Sequence, residues 1–152
     1  MARTDYSVDG APAVQYSAPF VVSVPGSHLI AYSSVDALGA VETTRTGYVN
    51  IDTSVPRSSA TPASVKAGGT VTLKFRVDDE QPDCGSAAVS IQIRKNGRTV
   101  KTVVLGTQRM NVALTYRLKA TLARGSYTWR VPATDVAGNK AVSVGQARLT
   151  VR

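Results

Sequence analysis

The stretch VDALGAVE at residues 35–42 decides the fold, because it returns as TDVAGNKA at residues 134–141. Both copies place Asp, two intervening residues and Gly directly after a run in which apolar and polar side chains alternate. Asp36 aligns with Asp135 and Gly39 with Gly138, 99 positions apart, and upstream His28 aligns with Tyr127. Self-similarity at a fixed interval indicates that one structural unit is used twice.

The interval between the copies is about as long as one domain, since domains commonly have about 100–150 residues. In a chain of 152 residues this leaves room for one complete unit at residues 56–152. Residues 1–55 have room only for the second half of another unit. We therefore expect a partial unit at residues 1–55 and expect the chain to begin inside a larger protein.

Alternation with a period of two dominates the second unit. One buried and one solvated face is typical of strands in an antiparallel sheet, and Asn96-Gly97 predicts a hairpin turn. No stretch of ten residues has a convincing helical period. The predicted strands are 60–66, 70–77, 86–94, 98–105, 110–119, 126–134 and 141–151.

Seven short strands in about 95 residues predict an immunoglobulin-like β-sandwich. The fold class is therefore all-β, with tandem immunoglobulin-like units of which the first is incomplete. Residues 1–55 offer about four strands, near 4–9, 18–23, 27–35 and 46–52, which are too few to close a sandwich. Because unpaired strand edges invite pairing with another chain, we expect a homodimer through this unit. The dimer would be symmetric or a strand exchange, with the acidic unit of one copy on the basic unit of the other. Salt would weaken it by screening these charges.

Several residues have a predicted structural role. Tyr127 begins a strand two residues before Trp129, which matches a tyrosine corner followed by a large core residue. Asp36 and Asp135 can accept backbone N–H bonds within the repeated turn, and Gly39 and Gly138 can take positive φ there. His28 is expected to stand in for the corner tyrosine of the first unit.

The chain also resembles a known class of modules. The runs Tyr6-Ser-Val-Asp-Gly10, Gly26-Ser-His-Leu-Ile-Ala-Tyr-Ser-Ser-Val-Asp36 and Tyr48-Val-Asn-Ile-Asp52-Thr-Ser-Val-Pro56 resemble bacterial Ig-like repeats of secreted and cell-surface proteins. Residues 69–152, with Ala133-Thr-Asp-Val-Ala-Gly-Asn139 and Ala147-Arg-Leu-Thr-Val151, resemble the Ig-like or fibronectin-III-like C-terminal modules of bacterial exoproteins. The resemblance implies an extracellular or cell-surface location and an accessory role without catalytic residues.

Charge is distributed unevenly between the two units. Residues 1–55 have a net charge of −3, whereas residues 56–152 have +11. Such asymmetry bears on partners, not on fold. The outward positions of the predicted strands place a basic face on the second unit. This face could bind an anionic glycan, or its residues could serve only solubility and the protection of strand edges. Its residues are Lys74, Arg76, Arg94, Arg117 and Lys119.

Specific nucleic-acid binding is not expected, since base stacking needs exposed aromatics and those of the second unit point to the predicted core. Tyr6, Tyr16, Tyr32 and Tyr48, all in the acidic half, are the candidates for an exposed aromatic platform. A membrane span is not expected either, because no segment approaches the ~20 apolar residues that a spanning helix needs.

Catalysis is not predicted. The chain has one His and one Cys, with no nucleophile motif around any Ser and no zinc-ligand spacing. No cofactor is expected, although calcium is an alternative, since carboxylates grouped at one end of a sandwich could coordinate it. The candidates are Asp52, Asp78, Asp79, Asp83 and Asp135, and solvated loop acids explain the same residues.

These observations together predict a non-catalytic spacer or adhesion module of a larger secreted bacterial protein. The alternative is a binding module for an acidic polysaccharide or cell-wall polymer.

Overall fold

The computed structural model describes residues 2–152, and this part of the chain is built of strands with no helix. It therefore contains no helix long and apolar enough to cross a bilayer. The strands are β1 Arg3–Val8, β2 Val14–Gln15, β3 Gly26–Val35, β4 Arg45–Ile51, β5 Arg57–Ala60, β6 Ala63–Val65, β7 Thr70–Asp78, β8 Ser86–Lys95, β9 Arg98–Arg109, β10 Val112–Lys119, β11 Gly125–Arg130, β12 Ala133–Asp135 and β13 Gln146–Val151.

The chain divides into two compact units. The first ends at Asp52, and the second comprises Thr53–Arg152. The division predicted from the sequence, between residues 55 and 56, lies three positions further on.

The second unit has two sheets. One has the order β10-β7-β5, and the other has the order β12-β8-β11-β13-β6, with β9 paired to β8. All the pairings are antiparallel except that of β13 with β6. Two sheets of this composition and order form an immunoglobulin-like sandwich, which confirms the predicted fold class.

Alternation along the strands explains the core of this sandwich. In β7, Leu73, Phe75 and Val77 are buried, while the intervening residues are exposed. In β11, Tyr127 and Trp129 are buried, and the Phe75 and Trp129 rings meet edge to face with centroids 6.5 Å apart. Trp129 is the largest fully buried side chain of the chain.

Prolines break two of the predicted strands. The strand predicted at 60–66 is divided at Pro62 into β5 and β6, which belong to different sheets. The strand predicted at 126–134 is likewise divided into β11 and β12 around Pro132. Proline has no N–H to donate to a sheet ladder, so pairing stops at each position.

A buried serine joins these pieces. The Ser58 hydroxyl in β5 donates to the Val131 carbonyl at 2.6 Å and accepts from the Gly145 N–H at 2.9 Å. Gly145 lies so close to β5 that an added Cβ would stand 2.4 Å from the Ser59 Cα. Only a residue without a side chain fits there, directly before β13.

The first unit has one antiparallel sheet in the order β2-β1-β3-β4. The predicted strand at 18–23 is wrong, since that segment contains Pro19 and forms no strand. Phe20 instead stacks on Tyr6, with ring centroids 4.2 Å apart. A turn through Asp9 and Gly10, both with positive φ, returns the chain so that β2 pairs with β1.

The sheet of the first unit corresponds to one sheet of the second. The order β2-β1-β3-β4 matches β9-β8-β11-β13, with β3 in the place of β11 and β12. A counterpart of β5-β7-β10 is not present among residues 2–52. No residue in this range is fully buried, so the first unit is half of a sandwich with an open inner face.

Candidate functional site

The two Asp-x-x-Gly turns have the same geometry. In the first unit the Asp36 carboxylate accepts the N–H groups of Leu38 and Ala40 at 2.8 and 2.9 Å. Gly39 donates to the Asp36 carbonyl and has φ +88°. In this Asx-type turn the carboxylate accepts hydrogen bonds from backbone N–H groups that have no partner in the sheet.

The second turn adds one side-chain bond. Asp135, which is 4 % exposed, accepts the Asn139 N–H at 2.8 Å and the Asn139 side-chain amide at 2.9 Å. Gly138 donates to the Asp135 carbonyl with φ +95°. In the first unit Ala40 stands at the position equivalent to Asn139, and its methyl side chain cannot make this bond. Both aspartates thus hold their turns together.

Each unit has a corner bond at equivalent residues. The Tyr127 hydroxyl donates to the carbonyl of Ala123, four residues earlier, at 2.8 Å. The His28 Nε2 lies 2.7 Å from the carbonyl of Val24, also four residues earlier. The imidazole of His28 therefore makes, at the start of β3, the bond that the phenol of Tyr127 makes at the start of β11.

His28 has a second partner that the tyrosine lacks. Its Nδ1 lies 2.7 Å from an Asp9 carboxylate oxygen, and the other oxygen accepts the Leu29 N–H at 2.8 Å. Both ring nitrogens face acceptors, and only the protonated imidazolium has two N–H donors. The hydrogen bond to Asp9, followed by that to Val24, raises the pKa of His28. The hydrogen bond from His28, followed by that from Leu29, lowers the pKa of Asp9.

These shifts make the stability of the first unit depend on pH. The raised pKa of His28 gives a contribution that is complete below pH 6.5 and is lost as pH rises through the folded-state pKa. The lowered pKa of Asp9 gives a contribution that is present above pH 3.8 and is lost as pH falls through the folded-state pKa. We expect the first unit to be most stable between about pH 4 and pH 6.5.

The test is direct because His28 is the only histidine. An NMR titration of its ring protons should give a pKa above 6.5, and Asp9→Asn should bring it down towards that value. Asp5→Asn is the matched control, since it removes the same charge from a carboxylate that pairs with Arg3 at 2.9 Å. The same His28 pKa in both variants would contradict the assignment.

Four of the five predicted basic residues share one surface. Lys74 and Arg76 of β7 and Arg117 and Lys119 of β10 are exposed, at alternate positions of paired strands. We call this surface the basic strip. Arg76 is engaged by Asp78 at 2.7 Å, and this hydrogen bond raises the pKa of the guanidinium.

Arg94 does not belong to this strip. It lies in β8, in the other sheet, opposite Thr128 of β11, and its guanidinium donates to the Gly97 carbonyl. The prediction of one shared face of five residues is therefore wrong for Arg94. The physical reason is sheet membership, because β8 pairs with β9, β11 and β12, whereas β7 pairs with β5 and β10.

The loop acids have local partners. Asp78 forms the pair with Arg76, and Asp79 accepts the Glu80 N–H at 2.9 Å. Asp83 accepts the Gly85 N–H at 2.7 Å and the Asn111 side-chain amide at 2.6 Å.

Two predicted calcium ligands come together within the second unit. Carboxylate oxygens of Asp79 and Asp135 lie within 4.8 Å of each other. Asp52 ends the first unit, and Asp78 and Asp83 have the partners described above. Calcium binding stays a prediction.

An aromatic groove of about 330 Å³ opens on the first unit. Three of its residues are predicted platform tyrosines, whereas Tyr48, 70 % exposed, lies elsewhere on β4. Sequence reasoning missed Phe20, because the segment around it was predicted to be a strand. The groove is lined by Thr4, Tyr6, Tyr16, Phe20, Ile30 and Tyr32.

No family model matches the chain, and no curated protein matches it. Among solved structures it is similar to a superoxide reductase (neelaredoxin) from Ignicoccus hospitalis, with 16 % identity, a TM-score of 0.42 and coverage of 64 % of this chain and 80 % of the other. A chimeric titin Z1Z2 tandem has 17 % identity and a TM-score of 0.42, covering 98 % and 83 %. Murine CRIg has 15 % identity and a TM-score of 0.37, covering 64 % and 98 %.

These likenesses are weak, and the assignment of the class rests on the strand order and pairing. The second unit is an immunoglobulin-like β-sandwich, and the first has one sheet of such a unit.

Proposed function

We propose that the chain is a non-catalytic immunoglobulin-like spacer or adhesion module of a larger secreted bacterial protein, located outside the cell or on its surface. The observation that carries the proposal is the parallel pairing of β6 with β13, which ties the beginning of the second unit to its end.

This pairing determines how the unit would respond to tension. Ala63 lies beside Leu149 and Val65 beside Val151. The Arg152 N–H donates to the Val65 carbonyl at 2.9 Å, and the Ala67 N–H donates to the Arg152 carbonyl at 2.8 Å. Because the two strands run parallel, a pull on the ends of the unit loads these bonds together in shear. Such an arrangement suits a spacer that carries load.

The use of the ionisable and hydroxyl side chains also supports the proposal. His28, Tyr127 and Asp135 each bond to a backbone group four residues away, at a corner or a turn. These contacts hold strand ends in place, which is a structural use of residue types that could otherwise serve chemistry.

The proposal predicts a discrete mechanical event when the full chain is pulled from both ends. Unfolding of the second unit, about 100 residues, should lengthen the chain by roughly 30 nm. Ala67→Pro removes one N–H donor of the clamp, worth on the order of 1 kcal/mol, so the unfolding rate at constant force should rise about fivefold. The measurement is single-molecule force spectroscopy.

Ala67→Ser is the matched control, because it keeps the backbone N–H and should leave the rate near that of the unmodified chain. Gradual lengthening of the second unit without a discrete step would contradict the proposed mechanical role.

The basic strip favours the alternative, a module that binds an acidic polysaccharide. Neighbouring charges along one strand are about 7 Å apart, so a polyanion could contact several at once. Titration with polygalacturonate, with neutral dextran as the control, tests it. Binding that weakens with salt and with Lys74→Gln/Arg117→Gln would support this function, and equal binding of both polymers would exclude it.

A further inference from the structure

The open inner face of the first unit is aromatic. Tyr6 stacks on Phe20 with an interplanar angle of 12° and meets Tyr16 edge to face, with centroids 6.3 Å apart. Tyr32 lies opposite Tyr6 in the register of β1 with β3. We call the surface of Tyr6, Tyr16, Phe20 and Tyr32 the aromatic face.

In the second unit the equivalent face is core. Ile30 and Tyr32 correspond, at the offset of 99, to Trp129 and Val131, which are both 0 % exposed. Tyr32 is 41 % exposed, Tyr16 45 % and Phe20 39 %. A surface that corresponds to the inside of a sandwich therefore remains exposed to water. Covering its apolar area would be favourable by about 25 cal/mol per Å².

The aromatic face is also free of carboxylates. Asp5 alternates with Tyr6 along β1 and so points to the other side of the sheet, where it pairs with Arg3. Asp36 is held in its turn, and Glu42 accepts the Ser34 N–H at 3.0 Å. Arg45 of the edge strand β4 lies opposite Tyr32 and therefore on the same side of the sheet, so each face has one cation at its margin and like charges oppose the meeting of two faces only modestly.

We propose that the aromatic face is a self-association surface, on which the same face of a second copy packs. Two four-stranded sheets facing each other would form a two-layer sandwich, the architecture that the second unit reaches alone. In a symmetric dimer the same face of each copy is in contact, so an apolar face meets an apolar face.

The size of the face determines how strong the dimer is. The four strands have 25 residues in total, which at a rise of about 3.3 Å and a spacing of about 4.8 Å give a face of about 400 Å². Two copies cover roughly 800 Å² in projection, which is below the ~1,200–2,000 Å² of standard interfaces. We therefore expect a weak and reversible dimer.

Sedimentation equilibrium of the full chain between about 10 and 500 µM is the test, since weak and reversible association becomes measurable in this range. We expect dimers that are retained or strengthened when salt rises, because salt screens the like charges around the apolar face. Docking of the acidic unit on the basic unit would instead weaken with salt, and that result would overturn the proposal.

Tyr32→Lys should reduce association at least tenfold by placing a charge on the aromatic face, since a buried unpaired charge is costly. Tyr48→Lys is the matched control, because Tyr48 lies opposite Leu29 on the other side of the sheet. It should leave association unchanged. Equal effects of the two variants, or a monomer at 500 µM, would overturn the proposal.

A measurement on the unmodified chain covers the case in which Tyr32→Lys fails to fold. Amide chemical shifts recorded at 20 and 500 µM should change along β1 and β3 and stay constant along β7 and β10. Changes concentrated on the basic strip would contradict self-association through the aromatic face.

Discussion

Replacing Trp129 with Ala is expected to lower the free energy of unfolding of the second unit by about 3–5 kcal/mol. The side chain is 0 % exposed and packs against Phe75 at the centre of the sandwich. Truncation removes the largest buried side chain and leaves a cavity that the surrounding strands can fill only in part. Chemical denaturation followed by circular dichroism measures the loss, because Trp129 is the only tryptophan and its fluorescence disappears in the variant.

Trp129→Phe is the informative comparison. The indole N–H has no hydrogen-bond partner among the described residues, so Phe loses volume without leaving a polar group unpaired. We expect a cost of about 1–2 kcal/mol, well below that of Ala. Equal costs for Phe and Ala would show that the site does not depend on side-chain volume.

Gly145→Ala is expected to destabilise the second unit by about 3 kcal/mol or more, at the upper end of overpacking effects. The added Cβ would stand 2.4 Å from the Ser59 Cα and 2.5 Å from the Ser58 carbonyl oxygen. Both obstacles are backbone, so no rotamer change relieves them. Relief requires β5 and the chain before β13 to move apart, which would stretch the hydrogen bonds of Ser58.

Gly138→Ala provides the control for backbone strain alone. Its φ is +95°, but an added Cβ would meet nothing within 4 Å, so it should cost about 1–2 kcal/mol. Thermal or denaturant unfolding of both variants gives the comparison. A Gly145→Ala variant as stable as Gly138→Ala would mean that β5 yields readily and that the close approach contributes little.

Alternation and turn chemistry were sufficient to predict most of the second unit. Leu73, Phe75 and Val77 alternate as the sequence indicated, and Asn96 and Gly97 form the hairpin turn with φ of 49° and 78°. These signals are local, because each strand has one face in water and each turn needs particular residues at particular dihedral angles.

Predictions that depended on non-local pairing were less successful. The sequence placed Arg94 on a face with Lys74, but the periodicity of one strand does not say which sheet it joins. The segment around Phe20 has the composition of a strand, whereas Pro19 removes a donor and Tyr6 offers a ring to stack on. The partnership of His28 with Asp9 joins residues 19 positions apart, and only the geometry of the folded sheet brings them together.

The Ser58 hydroxyl has a consequence for local opening. One oxygen bonds to Val131 and to Gly145, and the Ser58 N–H donates to the Ser143 carbonyl at 3.0 Å. An edge strand such as β5 would ordinarily fray at low free energy, independently of the interior. Here its release also breaks hydrogen bonds to the chain beside β11 and β13, so opening of β5 has an added cost. The edge of the sandwich is thereby coupled to its centre, and we expect the Ser58 amide to exchange with solvent more slowly than the amides of an unsupported edge strand.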